Sequence, residues 1–168
     1  MKTHNTTIPT IYVGTYHKYN CGSIDGRWID LDDFIDKQDF LTACTKLHKD
    51  EADPELMFQD WEGIPEAFIG ESYIDDSFWE YMEADGDQAA KAAFISCYGS
   101  WDADKFEEAF QGEYENELEF TYQLIDDVGM LTNLPEELQR YFDYEAFNRD
   151  LFLSDYIFFD GYIFRADM

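Results

Sequence analysis

Asp and Glu supply 38 of the 168 residues, so paired carboxylates, the acid and base of a hydrolase or the oxygen cage of a divalent cation, are unavoidable. At that density pairs follow from composition alone, and spacing has to discriminate. A calcium loop built on Asp85-Gly86 puts Gly86 at its sixth position, Tyr81 at its first and Ala92 at its twelfth. Oxygen ligands are required at both ends, so the motif fails. His17 with Cys21, and Cys44 with His48, are two pairs at four-residue spacing that could form a His2Cys2 zinc site. Cys44 falls on the apolar side of a predicted helix, where a buried structural thiol is the simpler reading. His48 and Glu51 lack the second histidine of a metalloprotease helix. No serine occupies a Gly-x-Ser-x-Gly turn, and no glycine-rich phosphate loop is present. We therefore assign no catalytic, metal or cofactor residue, and read the chain as a protein that is not an enzyme.

The remaining chemistry is charge. Only 11 Lys and Arg oppose the acids, the net charge is -27, and no Lys or Arg occurs from Glu51 to Ala90 or from Phe106 to Gln139. Like charges three or four residues apart are neighbours on a helix, and such a pair costs a few tenths of a kcal/mol. Glu113 with Glu117, Glu115 with Glu119, Asp76 with Glu80 and Glu80 with Glu83 all invite that cost if their segments are helical. A basic partner that neutralises the surface accounts for it directly. Nucleic acid is excluded as a direct ligand, because phosphate binding needs clustered Lys and Arg. An anionic membrane surface is excluded for the same reason, and no run is long and apolar enough to span a bilayer. The first ten residues lack the apolar core of a signal peptide. Cys21, Cys44 and Cys97 are too few and too scattered for a disulfide framework, so a reducing cytoplasm is expected. Despite its charge the chain should fold: 45% hydrophobic and 18% aromatic residues offer enough surface to bury.

The elements that would position these acids can be read in order. Thr10 to Tyr16 predicts a strand and Gly26 to Leu31 its antiparallel return. Asp32 or Asp33 should cap a helix reaching about Asp50, with Phe34, Phe40, Leu41, Cys44, Leu47 and His48 inward. Leu56 to Trp61 predicts a third strand. Ile74 to Tyr98 is helical and interrupted at Asp85-Gly86-Asp87. Ser100 or Asp102 should cap a helix in which Phe106, Phe110, Tyr114, Leu118 and Tyr122 repeat every four residues, broken near Gly112. Asn133, Pro135 and Glu136 mark a helix start. Tyr156 to Phe159 and Tyr162 to Arg165 predict a hairpin turned at Asp160-Gly161. The fold class is α+β, in three small consecutive domains: residues 1–64, an antiparallel sheet plus helix; 65–100, acidic and helical; 101–168, helices plus a β-hairpin.

Duplex DNA carries one charge per about 1.7 Å of axis, so the phosphates equivalent to the net charge occupy about 46 Å. A compact chain of this length would be about 40 Å across. A chain that imitates a duplex should therefore be slender, or gather its acids on one side.

Tyr12 to Leu31 (YVGTYHKYNCGSIDGRWIDL), Asp50 to Gly63 (DEADPELMFQDWEG) and Leu134 to Leu153 (LPEELQRYFDYEAFNRDLFL) resemble the ArdA family of plasmid- and transposon-borne antirestriction proteins. The resemblance covers most of the chain. It implies a DNA mimic that occupies the basic DNA-binding channel of type I restriction-modification enzymes, inhibits them by competition and protects incoming mobile-element DNA during conjugation. It also implies three domains in a row and an elongated homodimer. Leu134 to Leu153 resembles the region of the family's antirestriction motif, where Leu138, Tyr141, Phe142, Tyr144 and Phe147 look like packing or interface residues. Asn148 departs from the small residue that the resemblance would place there.

Two acidic groups are the candidate phosphate mimics: Asp75, Asp76, Glu80, Glu83, Asp85 and Asp87, then Asp104, Glu107, Glu108, Glu113, Glu115, Glu117 and Glu119. Phe110, Tyr114 and Leu118 are the candidate dimer contacts. The rival readings are an acidic module that sequesters another basic DNA-binding protein, an acidic metal-dependent hydrolase, and acidity that serves solubility in high salt.

Overall fold

A strand forms at Thr10–Thr15 (β1) because Ile11 and Val13 alternate with Tyr12 and bury completely, which the pleat requires of one face. The computed structural model describes residues 7–167. Tyr16 does not continue the strand. Thr15 accepts the Lys18 amide at 3.2 Å and starts a five-residue helix, Tyr16–Asn20 (α1), inside what the sequence predicts as an open turn. Arg27–Asp30 (β2) pairs with one edge of β1 and Leu56–Glu62 (β3) with the other, both antiparallel. The order β2-β1-β3 makes β1 the central strand.

Neither Asp32 nor Asp33 caps the following helix. Leu31–Asp33 is a single 3-10 turn, Phe34 is extended, and Asp36 caps Lys37–Leu47 (α2) by accepting the Asp39 amide at 2.8 Å. The delay follows from packing, since Leu31 is fully buried and the Phe34 ring meets Phe40 edge-on at 5.6 Å. Phe40 also meets Phe58 and Trp79, and this cluster fills the space between α2 and the sheet. Ile69–Gly70 (β4) and Tyr73–Ile74 (β5) form a small hairpin, so Ile74 ends a strand rather than opening a helix. The helix is Ser77–Glu83 (α3).

The chain divides into two compact units, Met1–Ala84 and Asp85–Met168. In the second, Asp87 caps Gln88–Tyr98 (α4) and Asp102 caps Ala103–Ala109 (α5). The aromatic repeat from Phe106 to Tyr122 is not one interrupted helix. Phe110–Glu113 (β6) is a strand, and a new helix, Glu117–Asp127 (α6), begins at the Asn116 cap. Residues four apart share a side in a strand as well as in a helix, so the spacing was compatible with both. Gly112, at φ +128°, lies in the bulge that follows Phe110.

Asn133 caps nothing. Pro135 stands at the N-cap of a four-residue helix, Glu136–Gln139 (α7), and Asp143 caps Tyr144–Ser154 (α8) by accepting the Ala146 amide at 2.9 Å. Asn148 sits within α8, not in a turn. Tyr156–Phe159 (β7) and Tyr162–Arg165 (β8) form the expected hairpin, with Asp160 and Gly161 at φ 49° and 90°. Positive φ at both central residues suits the twist of a two-residue hairpin. β6 joins it in the order β6-β8-β7. The described residues thus form a mixed α+β fold of eight α-helices and three small antiparallel sheets.

Candidate functional site

The acids predicted to matter lie on several elements. In the first unit Asp75 and Asp76 precede α3, and Glu80 and Glu83 lie on it, so Asp76, Glu80 and Glu83 have the helical spacing read from the sequence. Ser77 donates to Asp75 from its hydroxyl at 2.6 Å and its amide at 2.9 Å. These bonds, the hydroxyl first, hold the Asp75 carboxyl below the ordinary range. Asp76 faces Lys37 at 3.6 Å.

In the second unit Asp85 and Asp87 precede α4, and Asp104, Glu107 and Glu108 lie on α5. Glu113 is in β6 and Glu115 in the connection after it, so neither forms a helical pair with Glu117 or Glu119. Instead Glu119 accepts the Glu115 amide at 2.8 Å. Glu117 and Glu119 occupy the first turn of α6, where its dipole favours negative charge. Asp87 accepts the Tyr162 hydroxyl at 2.7 Å as well as capping α4. Burial, then this carboxylate, push the Tyr162 phenol well above its ordinary range. All thirteen acids are exposed except Glu117, which is half-buried. Five of them, Asp75, Asp76, Asp87, Glu117 and Glu119, have local structural partners. A chain designed only to present charge would not need to tie them down, but a rigid charged surface does.

The Leu134–Leu153 segment splits in two. Leu138 and Tyr141 are 53% and 76% exposed. Phe142 meets Tyr144 at 4.9 Å and Phe147 at 5.5 Å, and Tyr144 meets Tyr122 of α6 at 4.8 Å. The departing residue, Asn148, accepts the Thr121 hydroxyl at 2.7 Å and faces Glu117 at 3.5 Å. Thr121 is fully buried, so Asn148 supplies a polar tie between α6 and α8. Arg140 donates to the Glu137 carbonyl at 3.0 Å and lies over the Tyr141 ring at 5.4 Å. Of the candidate dimer contacts, Phe110 stacks on Phe106 at 5.3 Å and Tyr114 meets Phe120 at 5.2 Å, while Leu118 is half-buried.

The zinc candidates have other roles. Cys44 is fully buried, and burial pushes its thiol up to about 12. His48 is 1% exposed, with Nε2 3.1 Å from the Val13 carbonyl and Nδ1 3.1 Å from Lys18 Nζ. A carbonyl can only accept and an ammonium only donate, so the proton belongs on Nε2 and Nδ1 is the acceptor. Lys18 also reaches Asp50 at 3.0 Å and Asp25 at 3.3 Å. Its bond to Asp50 raises the amine and lowers the carboxyl. Thr15 completes the tie by donating to Glu51 at 2.6 Å. The sequence reading missed this cluster, whose only linear signal was the proximity of His48 to Asp50 and Glu51. Among the described residues no group of three or more His, Cys, Asp or Glu could hold a metal ion.

The two matching N-terminal segments are thus joined through Lys18 and Asp50, and the C-terminal one packs α8 on α6. This is the order of a whole fold, and a family model for antirestriction protein (ArdA) matches residues 11–164. The chain belongs to the ArdA family. ArdA proteins are DNA-mimic inhibitors of type I restriction-modification enzymes, so this chain is a non-enzymatic antirestriction inhibitor and such an enzyme is its target. No curated protein matches it. Among the described residues no helix is long and apolar enough to cross a membrane.

Proposed function

We propose that the chain inhibits by occupying the DNA-binding channel of the type I enzyme, with the thirteen acids standing where phosphates would lie. The observation that carries this reading is their exposure on ordered elements in both units, with few opposing bases nearby in sequence. A carboxylate fixed by its helix and cap need not be ordered on binding, so less of the electrostatic attraction is lost to entropy. No covalent step is involved. Competition for the channel would protect incoming mobile-element DNA, the use that the family implies.

The active form in this proposal is an elongated homodimer of three-part chains, divided at residues 64/65 and 100/101. Phe110, Tyr114 and Leu118 are its first candidate contacts. The exposed Leu138 and Tyr141 support a contact in the antirestriction-motif region as well. Equilibrium sedimentation of the purified protein tests this point: a mass of two chains is expected, and the mass of one chain would refute the dimer.

The functional test is titration of a purified type I methyltransferase with the protein against labelled duplex, at two salt concentrations. Stoichiometric displacement of DNA, weakened at higher salt, is expected. Neutralising Glu107, Glu108, Glu113 and Glu115 together should impair displacement, whereas any one of them alone should change it little. Loss of binding from one exposed acid, in a protein that stays folded, would refute the distributed mimic.

A further inference from the structure

The outer face of the N-terminal sheet carries chemistry that the acidic helices do not account for. β1 sends Ile11 and Val13 inward, both fully buried, which leaves Thr10 and Tyr12 on the opposite face. The register places Trp28 and Asp60 on either side of Tyr12, and Asp30 and Glu62 on either side of Thr10. Two adjacent rows result. One has two aromatic rings and a carboxylate, and the other has a carboxylate at each end.

The rings are fixed. Tyr12 and Trp28 meet edge-on at 5.6 Å, and the Tyr12 hydroxyl donates to the Ile24 carbonyl at 2.9 Å. Trp28 is nevertheless 42% exposed, a large aromatic surface left in water on a central sheet row. Asp30, Asp60 and Glu62 are also exposed, and among the described residues none of the three is within ion-pair distance of a Lys or Arg. Asp60 accepts the Trp61 amide at 2.9 Å, which holds its carboxylate against the strand.

We propose that this face docks arginine side chains of the type I enzyme's DNA-binding surface. A guanidinium is planar, lies flat on aromatic rings and pairs with carboxylates through a fork of donors. Neighbours within a row are one strand spacing apart, about 4.8 Å, and the two rows lie two residues, about 7 Å, apart along the strands, so both groups are offered close together. Charge selects the occupant: a second copy of this acidic chain would bring like charge to like, and an anionic lipid surface would be repelled. The proposal rests on the inhibitor reading above and adds an aromatic contact, which a phosphate mimic alone does not have.

The test measures affinity of the full-length protein for the purified methyltransferase across a salt series. Trp28→Ala should weaken binding about 10-fold with little change in salt dependence. The combined Asp30→Asn, Asp60→Asn, Glu62→Gln variant should weaken binding and flatten the salt dependence. Thermal melts report whether each variant is folded; should Trp28→Ala unfold, the charge variant, which keeps both rings, decides. If folded variants bind like the parent while neutralising Glu107, Glu108, Glu113 and Glu115 abolishes binding, this face is not a contact and the inhibitor reading stands. If the parent itself does not bind the enzyme, both fail. A change in the protein's own sedimentation on Trp28→Ala would assign the face to self-association and overturn the proposal.

Discussion

The two three-stranded sheets are closed by different chemistry. In the first unit the polar cluster of Lys18, His48 and Asp50 ties α1 and the end of α2 to β1, beside the apolar cluster around Phe40. In the second, Phe164 of β8 is fully buried among the rings of Phe94, Tyr98 and Phe110. A polar tie depends on protonation and on every partner being present. A ring cluster depends on volume, and salt or acid leaves it untouched. A strongly acidic protein can keep its fold under self-repulsion by either route, and this one uses both.

The sharpest way to break the contrast is Phe164→Ala, which should cost about 3–5 kcal/mol by opening a cavity in the second unit. Urea unfolding, followed by hydrogen exchange resolved along the chain, should show residues 85–167 losing protection first. His48→Leu is the matching change in the first unit. It removes partners from the Val13 carbonyl and from Lys18, and should cost about 2 kcal/mol, confined to residues 7–84. Tyr162→Phe deletes only the hydroxyl donated to Asp87 and should cost about 1.5 kcal/mol.

Acid offers the mildest test. The lowered carboxyls of Asp50 and Asp75 both belong to the first unit. A carboxyl with a depressed folded value stabilises above its unfolded pKa, about 3.9, and that contribution disappears as pH falls through the folded value. Hydrogen exchange below pH 4 should therefore loosen the first unit relative to the second. Alkali should not separate them, because buried Cys44 and Tyr81 in one and Tyr162 in the other all have raised values whose stabilisation is lost at high pH.

Local chemistry made much of this legible in advance. The alternation of Ile11 and Val13, the Asp-Gly turn at residues 160 and 161 and the Asp102 cap are decided within a few residues, so their elements appear where the sequence places them. The helix start differs because Asp30, Asp32, Asp33 and Asp36 are all competent caps, and only the burial of Leu31 and the contact of the Phe34 ring with Phe40 select the last. The strand β6 was missed for a related reason: Phe110 belongs to an every-four pattern that a strand also satisfies. Of the candidate site, the acids and their exposure could be anticipated. The rows on the outer sheet face could not, since their residues come from three strands spread between Thr10 and Glu62.

Composition by itself favoured a basic partner, because 38 acids against 11 Lys and Arg attract positive charge and repel negative. It favoured equally that aromatic rings would form the cores. Only the tertiary structure decided which acids are fixed by caps and hydroxyls, that His48 is a hydrogen-bonded link rather than a ligand, and which aromatics remain in water. Those outcomes depend on strand register and on contacts between residues tens of positions apart, where hydrogen-bond geometry and packing, not local preference, set the energy.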